Sequence, residues 1–201
     1  MIWISDNGST PVAGPPEYRG GNNGPFSGEL GDGREGSIRV PGMIKWPGKI
    51  APGKNNGMVA IHDFLPTIAS IIGVKLPTDR AYDGVDQSDF FMGKQEKSNR
   101  ESFITFIENE VAAFRWKQFR IYPNDFVMSG GNPARPGVAG GRMEMNSMPS
   151  IYNIENDPRE EDNLIATKAW TFRFYMKAIG EYYKSLKKYP NPKGVSLTNF
   201  E

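Results

Sequence analysis

The chain has 201 residues with no cysteine and one histidine, and its 24 Lys and Arg against 23 Asp and Glu give a formal net charge of +1. These counts exclude a disulfide, a thiolate metal site, a cysteine nucleophile and a histidine-rich zinc site, and they favour hard cations held by Asp, Glu, Asn and backbone oxygen. They also predict no binding to nucleic acid and no membrane span, since the chain lacks an overall positive field and any apolar stretch near the roughly 20 residues that a span needs.

The first half of the sequence predicts two short strands separated by a long loop, and then a helix. The elements are a strand at 2–4, a loop at 9–36, a strand at 38–46 that is interrupted by Pro41-Gly42, and a helix at 63–73. The first strand ends in a Ser-Asp-Asn-Gly turn, and its start at the first residue suggests that the natural protein extends upstream. The loop is rich in Gly and Pro, and loops of that length in a compact domain are usually functional or mobile. In the helix, Asp63 stands at the N-cap position and Gly73 ends the apolar periodicity.

The second half predicts an antiparallel sheet followed by a long amphipathic helix. The elements are strands at 102–107, 114–122 and 150–154, a loop at 128–149, and a helix at about 167–188. The alternation in 114–122 is typical of a half-exposed strand. In the last segment Phe172, Tyr175 and Ile179 fall on helical spacing, which predicts packing against a sheet. The loop at 128–149 contains five glycines and three prolines and is a candidate for substrate selection.

Asp6 and Asn7 directly follow the first strand and form the first candidate site. A carboxylate and an amide oxygen side by side suit Ca²⁺ or Mg²⁺, and open α/β sheets bind their ligands at strand ends. The alternative interpretation is an Asx turn that leads into Asn-Gly without any ligand.

Glu35 and Arg39 form the second candidate. The guanidinium of Arg39 has the planar geometry that binds an anion or a carboxylate, and Glu35 stands four residues before it. The pair is therefore either a buried ion pair that holds a loop to a strand or part of an anion site.

Six blocks in this order resemble the arylsulfatase-type sulfatases of the alkaline-phosphatase superfamily, over nearly the whole chain. They read SDNG, EGSIRVPGMIKWPGKI, HDFLPTIASIIG, LPTDRAYDGVDQSDFFMGK, AFRWKQFRIY and IYNIENDPREEDNL. The resemblance implies the C-terminal part of an alkaline-phosphatase-like α/β sulfatase fold, with a small antiparallel sheet and a packed C-terminal helix. It divides the chain into residues 1–100, which belong to the large α/β domain, and residues 101–201, which form a small α+β subdomain.

The same resemblance implies that Asp6 and Asn7 are ligands of Ca²⁺, with Mg²⁺ as the alternative, and that the loop at 10–36 borders the substrate pocket. In the family, the nucleophile is a formylglycine made from a Cys or Ser within a C/S-x-P-x-R block. That block is absent from these 201 residues, so we expect a missing N-terminal half to supply it and expect this chain alone to be inactive.

The sequence departs from the family at Leu30, where many sulfatases have a lysine that contacts the sulfate. The candidates that remain for the substrate pocket are Arg19, Arg34 and Arg39. Glu35 and Asp63 are expected to support the fold. His62 is also expected to be structural, because the family's catalytic histidines lie elsewhere.

The favoured function is therefore hydrolysis of a sulfate ester, of a small molecule or a glycan, by an enzyme of which this chain is a portion. One alternative is a non-catalytic fragment or degenerate paralogue that acts as a binding or assembly module. Another is a phosphoesterase of the same superfamily. Because a half-sheet has an open edge, we expect pairing with the missing half or with a second copy. The N-terminal residues lack the basic leader of a signal peptide and predict no compartment.

Overall fold

The structure, a computed structural model, describes residues 1–9, 21–107, 110–127, 142–144 and 148–190. Strands and short helices are mixed up to residue 91, and a run of antiparallel strands followed by helices makes up the described residues from 102 onwards. The strands are β1 (Ile2–Ile4), β2 (Gly42–Ile44), β3 (Ser102–Ile107), β4 (Glu110–Trp116), β5 (Phe119–Tyr122), β6 (Asp125–Val127), β7 (Arg142–Glu144) and β8 (Ser150–Asn153). The helices are α1 (Glu35–Ile38), α2 (Phe64–Ile72), α3 (Ser88–Phe91), α4 (Ile165–Lys168) and α5 (Phe172–Lys188). Within the described ranges no helix combines the length and the apolar character needed to cross a bilayer.

The N-terminal sheet has two strands, β1 and β2, which pair antiparallel from Ile2 opposite Ile44 to Ile4 opposite Gly42. The predicted strand at 38–46 is wrong at its start. The one-turn helix α1 occupies Glu35–Ile38, with the Arg39 N–H donating to the Glu35 carbonyl at 2.8 Å. Pro41 follows and has no N–H for a sheet ladder, so β2 begins only at Gly42.

The helix predicted at 63–73 is α2, preceded by a single 3-10 turn at Ile61–Asp63. Its predicted end is confirmed, since Gly73 adopts the left-handed conformation with φ of 71° and its N–H closes the last turn. Asp63 caps no N–H of α2 itself. Instead its carboxylate accepts from the Ala60 N–H at 2.9 Å and from the Val85 N–H at 2.8 Å.

The second sheet has four antiparallel strands in the order β3-β4-β5-β8. Strand 102–107 is confirmed to the residue. The single half-exposed strand predicted at 114–122 is wrong, because β4 and β5 are separate strands joined by a tight turn at Lys117, whose φ is 52°. All four residues of β5 are buried, since both faces of the sheet are covered there.

One face of this sheet packs against α5, as predicted for the C-terminal helix. The buried core consists of Phe114, Phe119, Ile121 and Ile151. On α5, Phe172, Phe174, Tyr175 and Ala178 pack against it, and the Phe174 ring stacks on Trp116 with centroids 3.8 Å apart. The other face of the sheet meets the segment around α1.

The strands β6 and β7 pair antiparallel from Asp125 opposite Glu144 to Val127 opposite Arg142. The sequence indicated neither strand, and β7 lies within the loop predicted at 128–149. Most of that loop falls outside the described residues. The division of the chain at residue 100 stays a prediction, and side-chain contacts described below cross it.

Candidate functional site

Asp6 and Asn7 lie in the turn that follows β1, where the sequence places the candidate metal ligands. The Asn7 N–H donates to Asp6 Oδ1 at 3.0 Å, and the Asn7 side-chain amide donates through Nδ2 to the Gly8 carbonyl at 2.8 Å. The second bond uses the amide nitrogen as a donor and leaves Oδ1 as the acceptor atom of the side chain. Asp6 is exposed and Asn7 is half-buried. A cation can therefore reach both side chains from outside the turn.

Gly8 joins this turn to α1 by a very close approach. Its N–H donates to the Ser37 carbonyl at 2.7 Å, and a Cβ built on Gly8 would lie 1.9 Å from the Gly36 carbonyl oxygen. No side chain fits at that distance, so only glycine allows the turn and the helix to touch. The position of Asp6 and Asn7 is therefore set by the position of α1.

Asn23 ties the glycine-rich segment to the same turn, a contact that the sequence did not indicate. Its Oδ1 accepts from the Ser9 N–H at 2.7 Å, while its Nδ2 donates to the carbonyls of Ser9 at 3.0 Å and Gly28 at 2.7 Å. The Leu30 N–H also donates to the Ser9 carbonyl, at 3.4 Å. The backbone of Leu30, the departure from the family pattern, thus contacts Ser9, two residues after Asn7.

A buried charged cluster, which we call the Glu35 cluster, lies behind α1 and contains Glu35, Arg115, Arg120, Tyr122 and Glu160. The Glu35 carboxylate, 1% exposed, accepts from Arg120 Nη1 at 2.9 Å and from Arg115 Nη1. Arg120 is fully buried, and it also donates to Tyr122 Oη at 2.9 Å and to the Gly33 carbonyl. The Glu160 carboxylate accepts from the Glu35 N–H at 3.0 Å and from the Tyr122 hydroxyl.

The Glu35 cluster corrects the expected partner of Glu35. Arg39 Nη1 is 3.6 Å from Glu35 Oε1, and its guanidinium lies over the Phe26 ring, 4.3 Å from the centroid. The shorter charge-assisted bonds come from two arginines on β4 and β5. A signal was present in the sequence, because an arginine inside the apolar run Phe-Arg-Ile-Tyr requires a buried acid as its partner.

Burial governs the titration of this cluster. Burial raises the pKa of Glu160, and the neighbouring Arg120 charge and the Tyr122 hydrogen bond offset this only in part. Burial also raises the pKa of Tyr122 well above its usual value, so the phenol stays protonated and donates to Glu160 at neutral pH.

Asp63 belongs to a second buried network, which joins α2 to the start of β3. Its carboxylate, fully buried, accepts from Arg100 Nε at 2.8 Å and Nη2 at 2.5 Å. Burial alone would raise the pKa of Asp63, but the hydrogen bonds from Arg100 and from the backbone of Ala60 and Val85 outweigh it and hold the pKa below 3.8. The assignment of Asp63 and Glu35 as supports of the fold stays a prediction, and these contacts are consistent with it.

His62 stacks on Phe103 with ring centroids 5.8 Å apart. Burial, and then the nearby Arg100 charge, lower the pKa of His62. It is therefore mostly uncharged at neutral pH, and its expected structural role stays a prediction.

The Gly8 bond to Ser37 places the Asp6–Asn7 turn against α1, and Arg34 stands at the N-cap of the same helix, but the roles of these three residues stay predictions. Arg34 is exposed, with Nη1 3.3 Å from Ser27 Oγ. Arg19 lies outside the described residues. Asp6 and Asn7 supply a carboxylate and an amide oxygen, a donor set that fits Ca²⁺ or Mg²⁺. They give too few ligands for a complete site, and the described ranges contain no cluster of three or more His, Asp or Glu side chains able to hold a metal.

Residues 1–74 match the sequence model of the protein family described as Sulfatase. Human steryl-sulfatase is 32% identical over 190 residues, which cover 87% of this chain and 32% of that enzyme. Human arylsulfatase A is 31% identical over 172 residues, covering 82% of this chain and 33% of that enzyme. The chain thus spans about a third of the length of these curated relatives.

Solved structures show the same similarity. The PsFucS1 sulfatase from Pseudoalteromonas sp. superposes with a TM-score of 0.82 at 28% identity, covering 96% of this chain and 38% of that one. A second structure, from work on the metabolism of glycosaminoglycans by Bacteroides thetaiotaomicron, superposes with a TM-score of 0.72 at 23% identity and covers 90% of this chain and 38% of that one. At that identity the similarity supports the fold alone. The α/β fold with its small antiparallel sheet and C-terminal helix is that of the sulfatases.

Proposed function

Since this chain belongs to the sulfatase family, we propose that it forms part of a sulfuric ester hydrolase and supplies one side of the active site. The observation that carries the proposal is the placement of Asp6 and Asn7. They directly follow β1, inside the segment that matches the family model, and offer a carboxylate and an amide oxygen side by side, with Asp6 Oδ1 also accepting from the Asn7 N–H. The substrate is a sulfate ester of a small molecule or of a glycan.

In the proposed site, Asp6 and Asn7 are two of the ligands of a Ca²⁺ ion, with Mg²⁺ as the alternative. A bound divalent cation there would stabilise the negative charge on the sulfate oxygens. Asp6 contributes the charge that attracts the cation. Asn7 contributes a neutral oxygen whose direction is set by its own Nδ2 bond to the Gly8 carbonyl.

In many sulfatases a lysine contacts the sulfate, but Leu30 occupies that position here. Another positively charged side chain is therefore needed to bind the sulfate. Of the candidates, Arg34 is exposed and makes one 3.3 Å contact with Ser27 Oγ. Arg39 already stacks on Phe26 and lies 3.6 Å from Glu35. These contacts favour Arg34 over Arg39 as the residue that binds the anion, with Arg19 as the remaining candidate.

The nucleophile is proposed to come from outside these 201 residues, since the sequence contains no C/S-x-P-x-R block. A formylglycine made from such a block would complete the site from another part of the sulfatase fold. The exposed apolar side chains around β1 and α2 support such a partner, because they form a surface suited to burial. These side chains are Ile2, Trp3, Ile4, Met43, Leu65, Ile68 and Ile72. The remainder of a sulfatase fold is the proposed cover, with a second copy of this chain as the alternative.

The proposal is tested by assaying the full-length protein on 4-nitrophenyl sulfate and 4-nitrophenyl phosphate, with Ca²⁺ and with EDTA. We expect Ca²⁺-dependent cleavage of the sulfate, no turnover by the 201-residue chain alone, and Ca²⁺ binding at least about tenfold weaker in Asp6→Ala. Asp89→Ala is the matched control, because Asp89 is an exposed carboxylate on α3 that pairs with Lys94. Preferential cleavage of the phosphate would replace the proposal by a phosphoesterase, and no cleavage of either ester would leave a binding module.

A further inference from the structure

We propose that Glu160 and Arg120, in the C-terminal half of the chain, are positioning residues that hold the Asp6–Asn7 turn in place through α1. The inference rests on the proposed function for the role of Asp6 and Asn7. The inference gives the four-stranded sheet and the turn after β8 an indirect role in the site. Among the described residues, no side chain of either contacts Asp6 or Asn7.

The first step is a two-point attachment between the turn at 157–160 and the glycine-rich segment. The Ser27 N–H donates to the Pro158 carbonyl at 3.1 Å, and the Glu35 N–H donates to Glu160 Oε1 at 3.0 Å. Ser27 and Glu35 flank the last part of the glycine-rich loop. The turn therefore fixes both ends of that part at once.

The conformation of Glu160 shows that this attachment is specific. Its φ is 58°, in the left-handed region that favours glycine or asparagine. Its side chain is nevertheless buried and bonded to Tyr122 Oη as well as to the Glu35 N–H. A strained backbone that delivers a buried carboxylate to a distant helix is a feature that the surrounding structure must hold in place.

The second step is the attachment of α1 to the sheet. Arg120 Nη1 donates to Glu35 Oε2 at 2.9 Å and Nη2 donates to the Gly33 carbonyl. Arg115 donates to the other Glu35 oxygen. The first turn of α1 is thus bonded to β4 and β5 by charge-assisted bonds, which are the strongest kind available to it.

The third step runs from α1 to the candidate ligands. The Gly8 N–H donates to the Ser37 carbonyl at 2.7 Å, and the Gly36 N–H donates to the Ser27 carbonyl at 2.7 Å. Because a Cβ on Gly8 would lie 1.9 Å from the Gly36 carbonyl oxygen, the turn and the helix have no room to slide. A displacement of α1 must therefore displace Asp6 and Asn7.

The test compares amide exchange and Ca²⁺ affinity in the full-length protein. The variants are Glu160→Gln and the milder Tyr122→Phe, which removes one hydroxyl. We expect the Gly8 amide to exchange about tenfold faster relative to the Ile121 amide in the sheet core, and Ca²⁺ to bind about tenfold more weakly, which is the factor for loss of one charge-assisted bond. Arg100→Gln is the matched control, since it breaks the buried Asp63 pair: it should lower global stability and speed exchange at Ile121, without raising the Gly8-to-Ile121 exchange ratio or weakening Ca²⁺ binding.

The outcomes separate this inference from the proposed function. Unchanged Gly8 exchange and Ca²⁺ affinity in both variants would overturn the positioning role while leaving the metal site intact. If the unsubstituted protein binds no Ca²⁺ but the Gly8 amide still exchanges faster in the two variants, the positioning role is supported and the metal assignment is rejected. An equal effect of Arg100→Gln would also overturn the inference, because the coupling would then be a general loss of stability.

Discussion

Replacement of Arg100 by methionine should destabilise the protein strongly. The side chain is 9% exposed and its bidentate partner Asp63 is fully buried. It also donates to the carbonyls of Ser102 at 3.1 Å and Asp83 at 2.7 Å. Removing one member of a buried pair leaves an uncompensated charge, which costs about 3–5 kcal/mol. For a chain of this size that corresponds to a fall of roughly 6–20 °C in the unfolding midpoint.

The penalty should depend on pH in a defined direction. The pKa of Asp63 is held below 3.8 in the folded protein, so the unfolded state binds the proton more readily. The stability that this carboxylate contributes is therefore present above its unfolded pKa and is lost as the pH falls through the lower folded value. The difference between the unsubstituted protein and Arg100→Met should shrink accordingly below about pH 4.

Urea unfolding followed by tryptophan fluorescence measures both effects, at neutral pH and at about pH 3. Arg80→Met is the matched control, because Arg80 makes the same bidentate contact with Asp79 at the surface, where both side chains are more than half exposed. We expect no change in its midpoint. If Arg100→Met destabilises no more than Arg80→Met, or if its penalty is the same at both pH values, the reasoning from burial is wrong.

Three further predictions follow from other contacts. Gly8→Ala should weaken Ca²⁺ binding at least about tenfold by calorimetry, since its Cβ would lie 1.9 Å from the Gly36 carbonyl oxygen; unchanged affinity would show that α1 does not set the turn. Phe174→Ala should lower the urea-derived stability by about 2–4 kcal/mol through loss of the stack on Trp116, and a loss near zero would contradict that packing. Because burial raises the pKa of Glu160 above 4.5, stability should fall as the pH rises from 4.5 through the folded value, and Glu160→Gln should remove this slope in urea midpoints.

Local elements were predictable from the sequence where a local pattern determines them. Strand 102–107 is a six-residue β-prone run, and its bounds match β3. Gly73 ends α2 because it adopts a positive φ at little cost. The turn between β4 and β5 was missed because Lys117, with φ of 52°, occupies a position where glycine or asparagine is the usual signal.

The partners of the buried charges were not predictable from spacing. Sequence proximity pointed from Glu35 to Arg39, four residues away, whereas the shorter bonds come from Arg115 and Arg120, which are 80 and 85 residues away. Desolvation determines these choices, because a fully buried carboxylate is stabilised by the donors that tertiary packing brings to it. The sequence indicated that Glu35 required a partner, but it identified neither Arg115 and Arg120 as the donors nor Glu160 as a member of the same cluster.

The contact between Glu35 and Glu160 spans 125 residues, so its two partners are synthesised at well-separated times. Closing so long a loop carries an entropic cost that early contacts in the chain do not repay. During synthesis at about 5–20 residues per second, the segment around Glu35 emerges roughly 6–25 s before its partner. Until Glu160 is synthesised, its contact with the Glu35 N–H cannot form, so a nascent chain shortened before Glu160 would hold both candidate ligands without the support that we propose for them.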